Sequence, residues 1–231
     1  QDEEALPEVF VPDLPQDQMF YKQFLMSLNC FNTPKLSIED RERTKMYKAE
    51  SYRVGFKKKI GSLNDWLITL DTKIVIEEIN KSNRQRASQL FNKTNQMNLT
   101  TRRMNETELM NWVNEKNRRI WIFRVSDKFG DSGLTGLLGI EHNESQIQVT
   151  DFLLSCRVMG RKIEKGIMNY IINIAKKNNV EKIKAKYIPT EKNQPIEKFL
   201  KSCNFEKIDD YWIFQLNKSF KNPNFLKLTV E

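Results

Sequence analysis

The segment 151–164, DFLLSCRVMGRKIE, constrains the fold of this chain more than any other stretch. An apolar, strand-like run from Asp151 to Ser155 stops at Cys156-Arg157, and Gly160 follows. Apolar residues then recur at Ile163, Ile167, Tyr170, Ile171 and Ile174, the spacing of a helix with one buried face. A strand that breaks at Arg-x-x-Gly and feeds a helix leaves unpaired N–H groups in the first helical turn. Those groups and the helix dipole favour a bound anion. The segment therefore predicts an α/β chain with an anion-binding loop over 158–162.

The rest of the chain fits around that junction. Residues 1–16 carry three prolines among apolar and acidic residues and read as an extended tail. Helical patterns follow at 18–29, at 37–53 with Ser37 as its cap, and at 62–70. They suggest a connector or brace over 17–72. From Lys73 onward, strands alternate with helices: strand 73–79, helices 82–92 and 106–116, strands 118–128, 134–144 and 146–156, helix 160–178, strand 182–188, a short helix opened by Pro195, and strands 205–208 and 211–216. DSG at 131–133 reads as a turn. Three successive strands predict an antiparallel meander, and the strand–helix–strand step after it predicts a parallel pair. Residues 218–231 read as a C-terminal tail.

Composition narrows the function classes. One histidine, three scattered cysteines and no CxxC argue against a zinc site, a Ser-His-Asp triad and a disulfide framework. They favour a reducing cytoplasm. No apolar run is long enough for a membrane span, and the acidic start QDEEALPEVF lacks the features of a signal peptide. A first residue other than Met suggests processing or a piece of a longer chain. The net charge of +8 comes from basic residues interleaved with acidic ones. Either base composition or an acidic partner accounts for it. No recognition helix or aromatic-basic platform points to nucleic acid.

Several side chains are candidates for chemistry. The run at 92–103 is rich in amides, hydroxyls and arginines. Amides and hydroxyls suit a hydroxylated substrate, and Arg102 and Arg103 suit a carboxylate or phosphate; a solvated loop is the alternative. Cys156 is either a nucleophile whose thiol is acidified at a helix start or a small buried residue ending a strand. Asp151, inside a strand, is paired or functional. Asp127 and Asp131 either hold a turn or reach the site. His142 fits a hairpin better than a general base. Trp121, Phe123, Trp212 and Phe214 alternate on strands and read as core.

The order of elements resembles the GNAT acyltransferase fold: α/β (α+β), a mixed, mostly antiparallel sheet flanked by helices, here with an N-terminal helical extension. The family's R/Q-x-x-G-x-G/A signature reads Arg157-Val-Met-Gly160-Arg-Lys162, with Lys162 where a small residue is usual. Asn193 precedes a helix ending in Phe199-Leu200 and Asn204-Phe205. Leu200 stands where many members have a tyrosine, and Asn204 replaces a glycine but tolerates a left-handed helix end. FNKTNQMNLTTRR (91–103), SDKFGDSGLTG (126–136), FLLSCRVMGR (152–161) and YIPTEKN (187–193) together resemble the C-terminal, GNAT-like half of the FkbH-like family. The likeness spans about residues 6–216. Its members usually join that half to a HAD-type glyceryltransferase/phosphatase domain and load a glyceryl unit onto an acyl carrier protein. The HAD half needs an Asp-x-Asp-x-Thr loop, which this sequence lacks; PEVFVPDLP resembles that domain's end.

The resemblance implies a GNAT-like domain over 73–217 after the tail of a HAD-like domain at 1–16. It implies a coenzyme A or phosphopantetheine thioester against Leu153, Leu154, Arg157, Val158, Met159, Gly160, Arg161, Lys162 and Asn193. A small polar acyl group would then meet Asn95, Gln96, Asn98, Thr100, Thr101, Arg102, Arg103, Tyr187 and Lys192. Cys156 and Asp151 are the catalytic candidates, and no metal is expected. The implied partners are an acyl carrier protein and a HAD-type domain or subunit. A non-catalytic carrier-docking module is the alternative reading.

Overall fold

A computed structural model describes residues 10–31, 42–143 and 145–231. The expected cap at Ser37 and most of the N-terminal tail lie outside the described residues. The chain divides into two compact units, Gln1–Leu36 and Ser37–Glu231. In the first, a short 3-10 turn at Gln18–Phe20 leads into α1 (Tyr21–Ser27). The Asp17 carboxylate opens that turn by accepting from the Met19 N–H at 2.9 Å.

The second unit begins with α2 (Arg43–Lys59) and α3 (Leu63–Thr69). β1 (Lys73–Glu78), α4 (Arg84–Lys93), β2 (Met97–Asn98) and α5 (Glu106–Val113) follow. The meander is β3 (Arg118–Asp127), β4 (Gly130–Asn143) and β5 (Gln146–Leu154). α6 (Ile163–Lys177), β6 (Lys182–Lys186), α7 (Gln194–Ser202), β7 (Glu206–Ile208), β8 (Tyr211–Gln215) and β9 (Lys227–Val230) complete it. The strands form one mixed sheet in the order β7-β8-β6-β5-β4-β3-β1-β9, with β2 added to β5. The expected meander is antiparallel throughout, and β5 and β6 are the expected parallel pair.

The periodicities explain the layering. Along β3, Ile120 and Ile122 face one side, against Ala87, Leu90 and Phe91 of α4 and Leu109 of α5. Trp121 and Phe123 face the other side with Phe152, Trp212 and Phe214, against Ile167 and Ile171 of α6 and Phe199 and Leu200 of α7. The aromatic residues expected in the core are there. α5 starts at a capping box: the Asn105 side chain accepts from the Glu108 N–H at 2.9 Å, and the Glu108 carboxylate accepts from the Asn105 N–H at 2.8 Å. Asn204 ends α7 at φ 61°, the left-handed conformation expected of it.

Three expectations change. The turn of the β3–β4 hairpin lies at Lys128-Phe129, so DSG belongs to β4; its aspartate accepts from the Gly133 N–H at 2.7 Å. The stretch at 97–98, expected in a polar loop, is a strand. The C-terminal tail supplies β9, which pairs parallel with β1. Both short strands are too brief for an alternation to register in the sequence.

A bulge shapes β5 near its end. Gly139 pairs with Asp151 and Ile140 with Val149, so Thr150 is the extra residue. A Cβ on Gly139 would lie 2.9 Å from Asp151 Oδ2 and 3.0 Å from Thr150 Oγ1. Gly139→Val is therefore expected to lower stability by roughly 2 kcal/mol, the order of overpacking in a closed site. Urea unfolding checks this, and an unchanged midpoint would show that the β4–β5 contact is looser than described.

Candidate functional site

The junction after β5 is built from unusual backbone positions. Ser155 caps a short 3-10 turn, Cys156–Val158, and Val158 anchors it in the core. Gly160 then takes φ 79° and Lys162 φ 61° before α6 begins. Lys162 thus stands in the left-handed region, which costs an L-residue about 1–2 kcal/mol and explains why a small residue suits that place. Cys156 is exposed, not a buried strand end. Arg157 is half-buried, with Nη1 at 3.1 Å from the Met46 sulfur.

Cys156 and Arg157 form a wall between two cavities. The larger, about 500 Å³, is bounded by Arg86, Gln89 and Lys93 of α4, by Thr94, Asn95 and Gln96, and by Leu154, Ser155 and Lys192. Four of its lining side chains are cationic, and among the described residues no carboxylate lines it. The second cavity, about 400 Å³, lies under α2, against Met46, Tyr47, Glu50 and Arg53. The structure thus unites Asn95, Gln96, Leu154, Cys156, Arg157 and Lys192 in one pocket.

The other expected residues have internal roles. Asp151 is fully buried and is gripped at both oxygens by Arg102; Thr150 donates to it at 3.0 Å and Thr100 at 3.5 Å. Burial pushes its carboxyl above the usual range while Arg102 pulls against that rise. Asp151 is therefore the paired residue of the two alternatives and offers no free carboxylate for catalysis. Arg103 donates to the carbonyls of Phe91 and Thr94 and to the Asn95 side chain. Asn98 is buried, donating to the Thr94 carbonyl at 2.9 Å and accepting from the Thr101 N–H at 2.9 Å. Leu153 lies in the core on the α4 face. Leu200 is core as well, packed in the cluster that includes α6. Tyr187 donates to the Asn193 side chain at 3.2 Å. Asn193 is fully buried and donates to the carbonyls of Asn98 and Ile188. Its polar groups are turned to the chain itself.

Arg161 is likewise engaged within the chain. Its guanidinium donates to Asp127 at 3.2 Å, to Glu50 at 3.0 Å and to the Arg157 carbonyl at 2.6 Å. Arg53 of α2 binds the same Asp127 through Nε at 2.7 Å and Nη2 at 2.8 Å. Burial and the neighbouring Arg53 charge both lower the Arg161 pKa. α2 is in this way tied to the signature loop.

The first turn of α6 carries an acidic side chain. Glu164 stands in that turn, and burial pushes its pKa up. It lines a third cavity, about 240 Å³, together with Met97, Leu154, Met159, Gly160 and Lys198. Next to it, the β5 edge at Leu153 and Leu154 is paired with Asn98 and Met97.

Sequence reasoning missed Arg86, Gln89 and Lys93 as site residues. Arg86 and Lys93 are two helical turns apart, so the period of α4 could have placed them on one face. Asp127 and Arg53 are 74 positions apart, and nothing in the sequence joins them.

No protein-family model matches the sequence, and no curated protein matches it either. Solved structures do. A putative GNAT-family acetyltransferase from Desulfovibrio desulfuricans is 7% identical, with a TM-score of 0.50 over 62% of this chain and 99% of that one. A domain from Methanocaldococcus jannaschii is 16% identical over 62% of this chain and 97% of that one, at a TM-score of 0.49. Spermidine N-acetyltransferase from Vibrio cholerae, solved with CoA and spermine, is 13% identical over 63% of this chain and 96% of that one, at 0.48. At such identity the Desulfovibrio likeness bears on architecture alone: this chain has the GNAT acetyltransferase fold.

Proposed function

We propose that the chain is an acyl-handling module of the FkbH-like kind. It receives a small, polar, glyceryl-like acyl group from the phosphopantetheine of an acyl carrier protein and holds it in the pocket over Cys156 and Arg157. It serves a HAD-type domain or subunit that performs the phosphatase or glyceryltransferase chemistry. The observation that carries this reading is the lining of the 500 Å³ pocket. Lys93, Arg157 and Lys192 supply positive charge for a carboxylate or phosphate, while Arg86 is engaged with the Leu134 carbonyl and the Gln89 side chain. Gln96 suits hydroxyl groups as donor and acceptor, the Gln89 and Asn95 amide oxygens accept from Arg86 and Arg103, and Leu154 closes the wall. The net charge of +8 favours an acidic protein partner.

A second reading is acyl transfer by this chain itself, favoured by the exposed Cys156 thiol in the wall of the pocket. Its sulfur would attack the thioester carbonyl carbon, the bond from that carbon to the pantetheine sulfur would break, and the departing sulfur would take up the proton Cys156 released.

Calorimetry with holo and apo acyl carrier protein tests the first reading. Binding is expected to prefer the holo form and to weaken with salt. Combining Arg157→Ala with Lys192→Ala should weaken holo binding roughly tenfold or more, about 1.4 kcal/mol. Equal binding of both forms, or indifference to both substitutions, would remove this pocket from the function. Mass spectrometry after incubation with an acyl-carrier thioester tests the second reading: an acyl adduct lost in Cys156→Ser supports it, and an unmodified chain rejects it.

A further inference from the structure

We infer that residues 97–99 are a built-in substitute for an extended, amide-bearing ligand, and that they keep the pantetheine arm of coenzyme A out of the gap between β5 and β6. This concerns the route of a thioester and stands apart from the carrier-protein reading above.

β5 and β6 pair only from Gln146 opposite Lys182 to Val149 opposite Ala185, and then separate. Beyond that point the outer edge of β5 would present unpaired N–H and C=O groups. An open edge pairs with any extended chain that carries amides, and a pantetheine arm is such a chain. Here the chain itself meets the edge. Met97 lies opposite Leu154 and Asn98 opposite Leu153, antiparallel. The Leu99 N–H donates to the Phe152 carbonyl at 3.0 Å.

The far side of the gap is closed as well. The Ile188 N–H donates to the Leu99 carbonyl at 3.1 Å. The Asn193 side chain donates to the Asn98 carbonyl at 3.0 Å and the Ile188 carbonyl at 2.9 Å, joining the two segments. Met97, Asn98 and Leu99 are 4%, 1% and 1% exposed, so the filler is core rather than a surface flap. Together, 97–99 continue the sheet across the place where it divides. Ligands are left the route through the pocket beside Cys156, which α4 and Lys192 border.

Amide hydrogen exchange on the full chain, followed by NMR with and without acetyl-CoA at millimolar concentration, tests the inference. In the free protein the Leu99 and Ile188 amides should exchange as slowly as those of the β3–β4 pair. With acetyl-CoA their protection should persist, and the signals of Leu153 and Leu154 should stay in place whether or not Cys156 and Arg157 respond. Fast exchange at Leu99 and Ile188 in the free protein would overturn the inference. So would loss of their protection on adding acetyl-CoA, with Leu153 and Leu154 shifting, because the arm would then have displaced the filler. Failure of the carrier-protein reading looks different: Cys156 and Arg157 would stay silent toward the holo carrier while 97–99 remained protected.

Discussion

Asp127→Ala is expected to destabilise the second unit by roughly 3–5 kcal/mol, the cost of leaving buried charge without its partner. The Asp127 side chain is fully buried, and the guanidinium groups it serves are only 4% exposed at Arg53 and 3% at Arg161. Without the carboxylate, two buried cations face each other with Glu50 alone between them, and Glu50 is half exposed. The damage should extend beyond stability. Arg161 also holds the Arg157 carbonyl at 2.6 Å, so the wall between the two cavities loses its anchor. Urea unfolding of wild type and variant measures the first effect. Proteolysis should cut preferentially within 156–162 in the variant. A loss below 1 kcal/mol would mean that solvent reaches these arginines. Replacing Asp127, Arg53 and Arg161 together by apolar residues should recover much of the loss, because no unpaired charge then remains.

Removing the guanidinium of Arg102 should cost roughly 3 kcal/mol in an Arg102→Met variant. The lower end of the range for buried pairs applies because Arg102 stays 33% exposed while Asp151 is fully buried. The pH dependence has a definite sign. Burial raises the Asp151 pKa in the folded chain above its unfolded value, against the pull of Arg102. A carboxyl raised in this way favours folding below its unfolded pKa, near 4, and that contribution is lost as pH rises through the folded value. Taking Arg102 away raises the folded pKa further. The deficit against wild type should therefore be smallest at acid pH and grow toward neutrality. Denaturant titrations at pH 5 and pH 8 check this. Equal deficits at both would show that the pair contributes no charge interaction.

The same two pairs show where sequence reading stops. The junction at 151–164 was legible because it combines a short apolar run, a glycine and a helical period within fourteen residues, all of which are local signals. Arg161, two residues before α6, had the right chemistry for phosphate, but its partners Glu50 and Asp127 come from elements far away in the chain. Asp151 was legible as an anomaly, a charge within a strand, and Arg102 as a cation within a polar run. Only folding showed that each answers the other. The pocket divides in the same way: Asn95, Gln96, Arg157 and Lys192 stood in stretches that could be singled out, whereas Arg86 and Gln89 lay in a helical stretch with no site signal of its own.

The sequence by itself determined the alternation of strands and helices, the antiparallel meander followed by a parallel pair, the aromatic core and the backbone break after β5. Periodicity and special backbone positions act over a few residues, so they survive in a linear reading. The tertiary structure alone decided that α2 is bound through Arg53 to the signature loop, that β9 closes the sheet beside β1, and that 97–99 fill its division. Such contacts depend on which buried polar and edge groups meet once the chain is compact. A buried donor must find some acceptor, but the local sequence does not say which one.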